Sequence, residues 1–128
     1  PCDVVLSDVD VVEPDVIYVS NERASIVTPA NLDGSPDLVI EVTSPSTRAR
    51  DETTKRLLYE GSTVVEYWVV DPDIDVVRVY RRVGGPAGAG DSDSAFDRPQ
   101  ELSREAGDVL TSPLFPGLTL PLDQIFGA

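Results

Sequence analysis

The fold is decided by residues 35–42, which read Ser35-Pro36-Asp37-Leu38-Val39-Ile40-Glu41-Val42. The aliphatic run after the Pro-Asp start is bounded by turn residues, and it predicts a strand covered on both faces. Residues 13–19 begin in the same way, because a Pro-Asp pair there also leads into aliphatic and aromatic residues. We therefore predict two buried central strands with similar starts, separated by a loop at residues 31–34.

A helix is predicted after the second strand, from about Arg48 to Glu60. Residues 43–47 supply a turn and hydroxyl side chains suited to capping it, and Gly61 is a natural stop. Residues 64–70 and 75–83 then predict a third and a fourth strand that form a hairpin. Strand pieces from residue 108 onwards and a last helical turn at 122–126 complete an α/β (α+β) domain.

The length of 128 residues is typical of a single domain with one core, which we place over residues 1–128. Residues 84–99 are rich in Gly, Ala, Ser, Asp and Pro, so they bury little apolar surface and are predicted to form a mobile loop. The chain starts at Pro1 and enters almost at once on apolar residues, so we expect an N-terminal segment to precede it.

The composition restricts the possible chemistry. The single cysteine excludes an intrachain disulfide and a thiolate metal cluster, and the absence of histidine removes imidazole as a ligand or base. Any metal must therefore be bound by oxygen, which favours magnesium, manganese or calcium. No apolar run approaches the roughly 20 residues of a membrane span, and no signal peptide opens the chain, so we expect a soluble cytoplasmic protein without membrane contact.

The formal charge of −13 argues against nonspecific binding of nucleic acid, which is read chiefly through lysine and arginine. The ten basic residues are unevenly spread, with one group in residues 48–56 and a second in residues 78–82. A solvated surface is the simplest interpretation of each group. Any contact with DNA would have to be local.

Glu41 is unusual, because a carboxylate within an aliphatic strand must face solvent or be satisfied by a cation or by hydrogen-bond donors. If the two Pro-Asp strands are antiparallel neighbours, Asp15 at the start of the first lies near Glu41 at the end of the second. A divalent cation would remove the repulsion between the two carboxylates. The residues alone fit equally well a Glu41 that faces solvent and an Asp15 that only shapes its turn.

Lys55 is the only lysine in the chain. A compact ammonium group close to two carboxylates and a metal can orient water or stabilise charge that builds on a phosphate. The alternative is a surface salt bridge with Asp51, four residues earlier on the same predicted helix, which would contribute a few tenths of a kcal/mol.

Several segments together resemble the Uma2 family, formerly a domain of unknown function, within the PD-(D/E)XK nuclease superfamily. They are residues 36–47, then Asp51, Lys55, Tyr59 and Gly61, then residues 66–72, and finally residues 112–118. The resemblance covers nearly the whole chain. It implies a restriction-endonuclease-like fold, in which helices flank a mixed central sheet.

The resemblance also implies roles for particular residues. Asp15 and Glu41 would be the metal ligands, with Mg²⁺ or Mn²⁺ as the cofactor, and Lys55 the cation beside the scissile phosphate. The superfamily usually places this lysine two residues after the second acid, but Thr43 stands there, so the resemblance implies a lysine moved to the helix. Asp37 is included among the catalytic residues, although it precedes Glu41 by about 13 Å of extended strand and has an alternative role in fixing the strand's start.

The activity implied is that of a metal-dependent endonuclease that hydrolyses phosphodiester bonds of DNA. Two alternatives remain open at this point. A nuclease fold that no longer cuts could serve as a binding or assembly module, and a hydrolase of a small phosphorylated molecule would need less cationic surface. Cutting both DNA strands requires paired sites, from which we expect a homodimer.

Overall fold

A computed structural model describes residues 2–83 and 95–127. Its strands, in chain order, are β1 (Val4–Val5), β2 (Val11–Val12), β3 (Val16–Tyr18), β4 (Leu32–Asp33), β5 (Leu38–Val42), β6 (Glu66–Asp71), β7 (Val76–Arg81), β8 (Gln100–Ser103), β9 (Val109–Leu110) and β10 (Leu120–Pro121). Its α-helices are α1 (Arg48–Glu52), α2 (Thr54–Glu60) and α3 (Leu122–Ile125), and a 3-10 helix covers Asn21–Ile26. No helix in the described ranges is long and apolar enough to cross a membrane.

The centre of the molecule is a five-stranded mixed sheet in the order β3-β5-β6-β7-β8. Strands β5 and β6 run parallel, and the other neighbours are antiparallel. The predicted hairpin is confirmed as β6 and β7. Its turn contains Asp75 at a φ of 52°, a left-handed conformation that aspartate tolerates better than most residues. The mixed α+β fold class is therefore confirmed.

The first Pro-Asp strand differs from the prediction of a buried central strand. It becomes β3, which lies at the edge of the sheet and pairs with β5 alone. Val16 is 50% exposed as a result. The prediction for β3 was wrong because aliphatic composition does not show whether a strand has one neighbour or two.

The two faces of the sheet are covered by different parts of the chain. Val39, Tyr67 and Val69 project to one face, where they pack with Tyr59 of α2. On the opposite face a second cluster is covered by the C-terminal segment, and it comprises Leu38, Trp68, Val77, Val79, Leu102, Leu110 and Leu122. The side chains of β5 and β6 alternate between these clusters, as strand geometry requires.

The predicted helix over residues 48–60 is interrupted at Thr53, where φ is −118° and ψ is −75°. The Thr53 hydroxyl donates to the main-chain oxygen of Ala49, a local bond that bends helices. Tyr67, on the neighbouring β6, donates its hydroxyl to the main-chain oxygen of Asp51 at 2.7 Å. The two short helices on either side of the interruption thus lie on the same face of the sheet.

The interpretation of the second basic group as solvated surface charge was wrong for Arg82, which is only 1% exposed. Its guanidinium donates to main-chain oxygens that include those of Val64 and Ser62, and so ties β7 to the end of α2. Of the loop predicted at residues 84–99, residues 84–94 lie outside the described residues. In the remainder, Phe96 is buried and its ring lies 6.1 Å from that of Tyr80.

Candidate active site

Glu41 lies near the C-terminal end of β5, on the face covered by α1 and α2. It is 3% exposed, so the alternative of a solvent-facing carboxylate was wrong. Its Oε2 atom accepts a hydrogen bond from the Tyr59 hydroxyl at 3.0 Å and another from Lys55 Nζ at 3.1 Å. The buried charge is therefore both paired and hydrogen-bonded, which a carboxylate needs in an apolar environment.

Asp15 comes to the same end of the sheet because β3 and β5 are antiparallel. Val16 pairs with Ile40, and the same register continued by one residue places Asp15 opposite Glu41. Asp15 Oδ2 accepts the main-chain N–H of Val42 at 2.7 Å, and the residue itself is exposed. The structure thus brings together the two carboxylates that the sequence analysis paired.

Lys55 reaches the site from α2. Its Nζ atom lies 3.1 Å from Glu41 Oε2 and 3.3 Å from Asp51 Oδ1. Asp51 is 2% exposed, so this pair is not the surface salt bridge that was the alternative for Lys55. An ammonium group has three N–H donors, of which Glu41 accepts one in a hydrogen bond while Asp51 lies at ion-pair distance.

The environment shifts the ionisation of these groups. Burial raises the pKa of the Glu41 carboxyl above its ordinary value, against the opposing effects of Lys55 and Tyr59. The negative charge of Asp15 acts in the same direction as burial. Burial acts to lower the pKa of Lys55, but Glu41 and Asp51 outweigh it and the net pKa is raised. Lys55 therefore carries its positive charge at neutral pH.

Asp37 is not brought to this site. It lies before the other end of β5, where its Oδ2 accepts the main-chain N–H of Ser20 at 2.7 Å. The main-chain N–H groups of Val65 and Glu66 donate to its carbonyl oxygen. A cleft of about 500 Å³ opens beside it, also lined by Arg23 and Leu114. These contacts match the alternative role of Asp37, which is to fix the start of the strand.

Two residues of the site were not among the predicted catalytic or metal-binding residues, namely Tyr59 and the buried Asp51. Burial raises the pKa of the Tyr59 hydroxyl, and the charge of Glu41 raises it further, so Tyr59 remains a hydrogen-bond donor. The signal that could have found both residues is their spacing, since Asp51, Lys55 and Tyr59 follow one another at intervals of four and would share one face of the uninterrupted helix that the sequence predicts.

The donor set suits a hard divalent cation. The hydrogen bonds that the described residues make to the two carboxylates end on Glu41 Oε2 and Asp15 Oδ2, which leaves Oε1 and Oδ1 as oxygen ligands. The described ranges contain no group of three or more Asp, Glu, Cys or His side chains placed to hold a metal. Two carboxylates suffice for Mg²⁺, which commonly completes its coordination with water and substrate phosphate.

Comparison with known proteins identifies the family and the fold. The Uma2 family, described as "putative restriction endonuclease", matches residues 1–123. The chain belongs to the Uma2 family. A similar solved structure is a putative nuclease of DUF820 from Anabaena variabilis, with a TM-score of 0.70 and 20% sequence identity. The match covers 98% of this Uma2 chain but only 64% of that protein, and at this identity it shows the fold. No curated protein matches the chain significantly.

Proposed function

We propose that this Uma2 domain is a metal-dependent endonuclease that hydrolyses phosphodiester bonds of DNA. The observation that carries the proposal is the buried Glu41, which lies opposite Asp15 and is hydrogen-bonded to the only lysine of the chain. A carboxylate pair with an adjacent fixed cation is suited to phosphoryl chemistry, in which charge stabilisation supplies most of the catalysis.

Asp15 and Glu41 would hold Mg²⁺ or Mn²⁺ through the oxygens that the protein leaves free. Bound there, the ion supplies a Lewis acid that polarises the phosphate and activates water for attack. Tyr59 fixes the orientation of Glu41 through its hydrogen bond to Oε2. Glu41 accepts one of the three N–H donors of Lys55, so another is available for a phosphate oxygen, where the positive charge of Lys55 would offset the negative charge of the transition state.

The charges at the site are balanced for such an ion. Asp15, Glu41 and Asp51 contribute three negative charges, and Lys55 contributes one positive charge. The remaining two negative charges equal the charge of a divalent cation. Repulsion between the carboxylates is therefore relieved when the ion binds, and this makes metal binding stabilise the fold.

A second candidate is hydrolysis of a small phosphorylated molecule, and the pairing of the basic residues favours it. Most cationic side chains are engaged within the protein, among them Arg48 with Asp71 and Arg78 with Glu52. Within residues 2–83 and 95–127, only Arg50 and Arg98 have guanidinium groups without an ion pair or hydrogen bond. Little positive surface is left for a long duplex.

Plasmid cleavage and salt dependence together test the proposal. With Mg²⁺ or Mn²⁺, we expect the protein to nick or linearise a supercoiled plasmid, and chelation should abolish the activity. Affinity for an oligonucleotide should fall steeply with salt, because each phosphate contact releases counterions. Metal-dependent hydrolysis of a small phosphodiester, without plasmid cleavage and without a salt slope, would favour the second candidate. Absence of both activities would contradict the proposal.

A further inference from the structure

Asp51 is a buried carboxylate for which the proposed reaction has given no task. It is 2% exposed and lies in the last turn of α1, with Oδ1 3.3 Å from Lys55 Nζ. That contact is made at ion-pair distance and outside hydrogen-bond geometry, since Oδ1 has no hydrogen-bond partner among the described residues. Replacing buried ion pairs by apolar groups is often neutral or stabilising, so stability alone does not explain a charged residue here.

The position of Asp51 is fixed from two directions. Tyr67, which is fully buried, donates its hydroxyl to the main-chain oxygen of Asp51. The interruption at Thr53 ends α1 directly after Asp51 and Glu52, and α2 then begins the turn that carries Lys55. The main chain of Asp51 is thus attached to the sheet through Tyr67, whereas Lys55 projects on a flexible side chain that is 24% exposed.

A lysine side chain has a flexible four-carbon stem and three equivalent donors, so one contact does not define where its ammonium lies. The hydrogen bond to Glu41 alone would permit Nζ to rotate around that carboxylate. A second negative group, Asp51 Oδ1 at 3.3 Å from Nζ, restricts that rotation. Because Glu41 and Asp51 are both buried, each contact excludes the solvent that would otherwise compete for the ammonium.

We propose that Asp51 is a positioning residue. It holds the Lys55 ammonium between Asp51 and Glu41, and so directs an N–H of Lys55 that Glu41 does not bind to the substrate phosphate. This inference rests on the proposed function of Lys55. Its physical core, an ammonium immobilised by Asp51, does not require that the protein cut DNA. The two parts are therefore tested by separate measurements.

The immobilisation is measured by NMR on protein labelled with ¹³C-lysine, which gives the signals of a single side chain because Lys55 is the only lysine. A fixed ammonium keeps the two Hε protons inequivalent, and free rotation makes them equivalent. We expect two resolved Hε signals in the wild type and their collapse in Asp51→Asn. Arg56→Gln is the matched control, since it removes another i,i+4 ion pair of the same helix, that with Glu60, and should leave both signals in place.

The consequence for the reaction is measured as turnover. We expect Asp51→Asn to lower kcat about 10- to 100-fold, as for other residues that orient a catalytic group, with KM and Mn²⁺ affinity changed less than about twofold. Asp51→Glu retains the charge and should restore part of the turnover. It also provides the test if Asp51→Asn does not fold, as judged by fluorescence of the buried Trp68, because moving the carboxylate should shift the Hε signals.

Two resolved Hε signals in a folded Asp51→Asn protein, unchanged from wild type, would overturn the inference. So would equal loss of turnover in the Arg56→Gln control. If the signals collapse as expected but the wild type hydrolyses no phosphodiester, Asp51 still positions Lys55, and the proposed function alone has failed.

Discussion

The two ends of the β3–β5 strand pair each carry a Pro-Asp sequence, but the side chains around the two aspartates differ. Each strand has a buried proline before its aspartate, and each aspartate accepts a main-chain N–H at the end of the partner strand or just beyond it, at 2.7 Å. Asp15 binds the N–H of Val42, and Asp37 binds that of Ser20. The aspartate of each Pro-Asp start therefore satisfies a main-chain N–H at one end of the β3–β5 pair.

The difference lies in what surrounds each aspartate. The residue before Val42 is Glu41, which meets Lys55 and Tyr59 from α2, whereas the residue before Ser20 is Val19. Helix α2 supplies these two side chains at the Asp15 end. An aspartate at a strand end becomes a candidate ligand only where the fold adds a second carboxylate and a cation.

The largest effect is expected for Glu41→Gln. The amide keeps the size of the side chain but removes the negative ligand, so metal should no longer raise the melting temperature and cleavage should fall at least about 100-fold. Glu22→Gln in the cleft beside Asp37 is the control and should change neither quantity. Thermal unfolding with and without Mn²⁺ measures the first, and a retained metal response in Glu41→Gln would remove Glu41 from the metal site.

Lys55→Ala should eliminate cleavage by about 100- to 1,000-fold while leaving Mn²⁺ binding nearly intact, because Lys55 offsets charge on the substrate and does not bind the ion. Calorimetric titration of Mn²⁺ and single-turnover cleavage separate the two effects. Arg50→Ala removes an exposed cation from the same region and should affect cleavage little. Unchanged cleavage in Lys55→Ala would show that Lys55 does not take the place of the catalytic lysine that the superfamily usually has two residues after the second acid.

A smaller and opposite pair of effects should distinguish Asp15→Ala from Asp37→Ala. Asp37→Ala leaves the Ser20 N–H without its charged acceptor at a buried position, so we expect a loss of about 1–3 kcal/mol of unfolding free energy with the metal response preserved. Asp15 is exposed, so Asp15→Ala should cost less stability but abolish the metal response. Urea unfolding with and without Mn²⁺ measures both effects. A metal response that Asp37→Ala abolishes and Asp15→Ala preserves would place the metal site at the Asp37 end instead.

The smallest effect concerns pH in the absence of metal. The pKa of Glu41 is higher in the folded than in the unfolded protein, so ionisation of Glu41 destabilises the fold as pH rises through its folded pKa. Below the ordinary carboxyl pKa, both states are protonated and Glu41 contributes nothing. Glu41→Gln should therefore be more stable than wild type at pH 7, with a difference that disappears below about pH 4. Urea midpoints across pH measure it, and a destabilised variant at pH 7 would show that the Lys55 pair outweighs burial.

The sequence predicted the local features of the fold well. The β6–β7 hairpin was predictable because its strands and turn are adjacent in the chain, whereas the aliphatic residues around Glu41 left both a buried and a solvent-facing carboxylate open. The edge position of β3 was not predictable, because the sequence does not show which strand pairs with a single neighbour. The break at Thr53 was also missed, since Tyr67, distant in sequence, holds the Asp51 carbonyl.

The candidate site was predictable in part for the same reason. Asp15 and Glu41 were paired by assuming antiparallel neighbours, and the structure has that pairing. Asp37 was included with Asp15 among the predicted catalytic residues, although not as a metal ligand, because both follow a proline and precede an aliphatic strand. Only the position of α2 over one end of the pair distinguishes them.

Anomalous diffraction from crystals grown with Mn²⁺ locates the ion without reference to activity, and therefore tests whether Asp15 and Glu41 form a metal site. We expect one anomalous peak beside Lys55, contacting Asp15 Oδ1 and Glu41 Oε1 at about 2.0–2.2 Å, and no peak at the Asp37 end. A peak at Asp37 with none between Asp15 and Glu41, or two carboxylates that point apart with no ion between them, would contradict it.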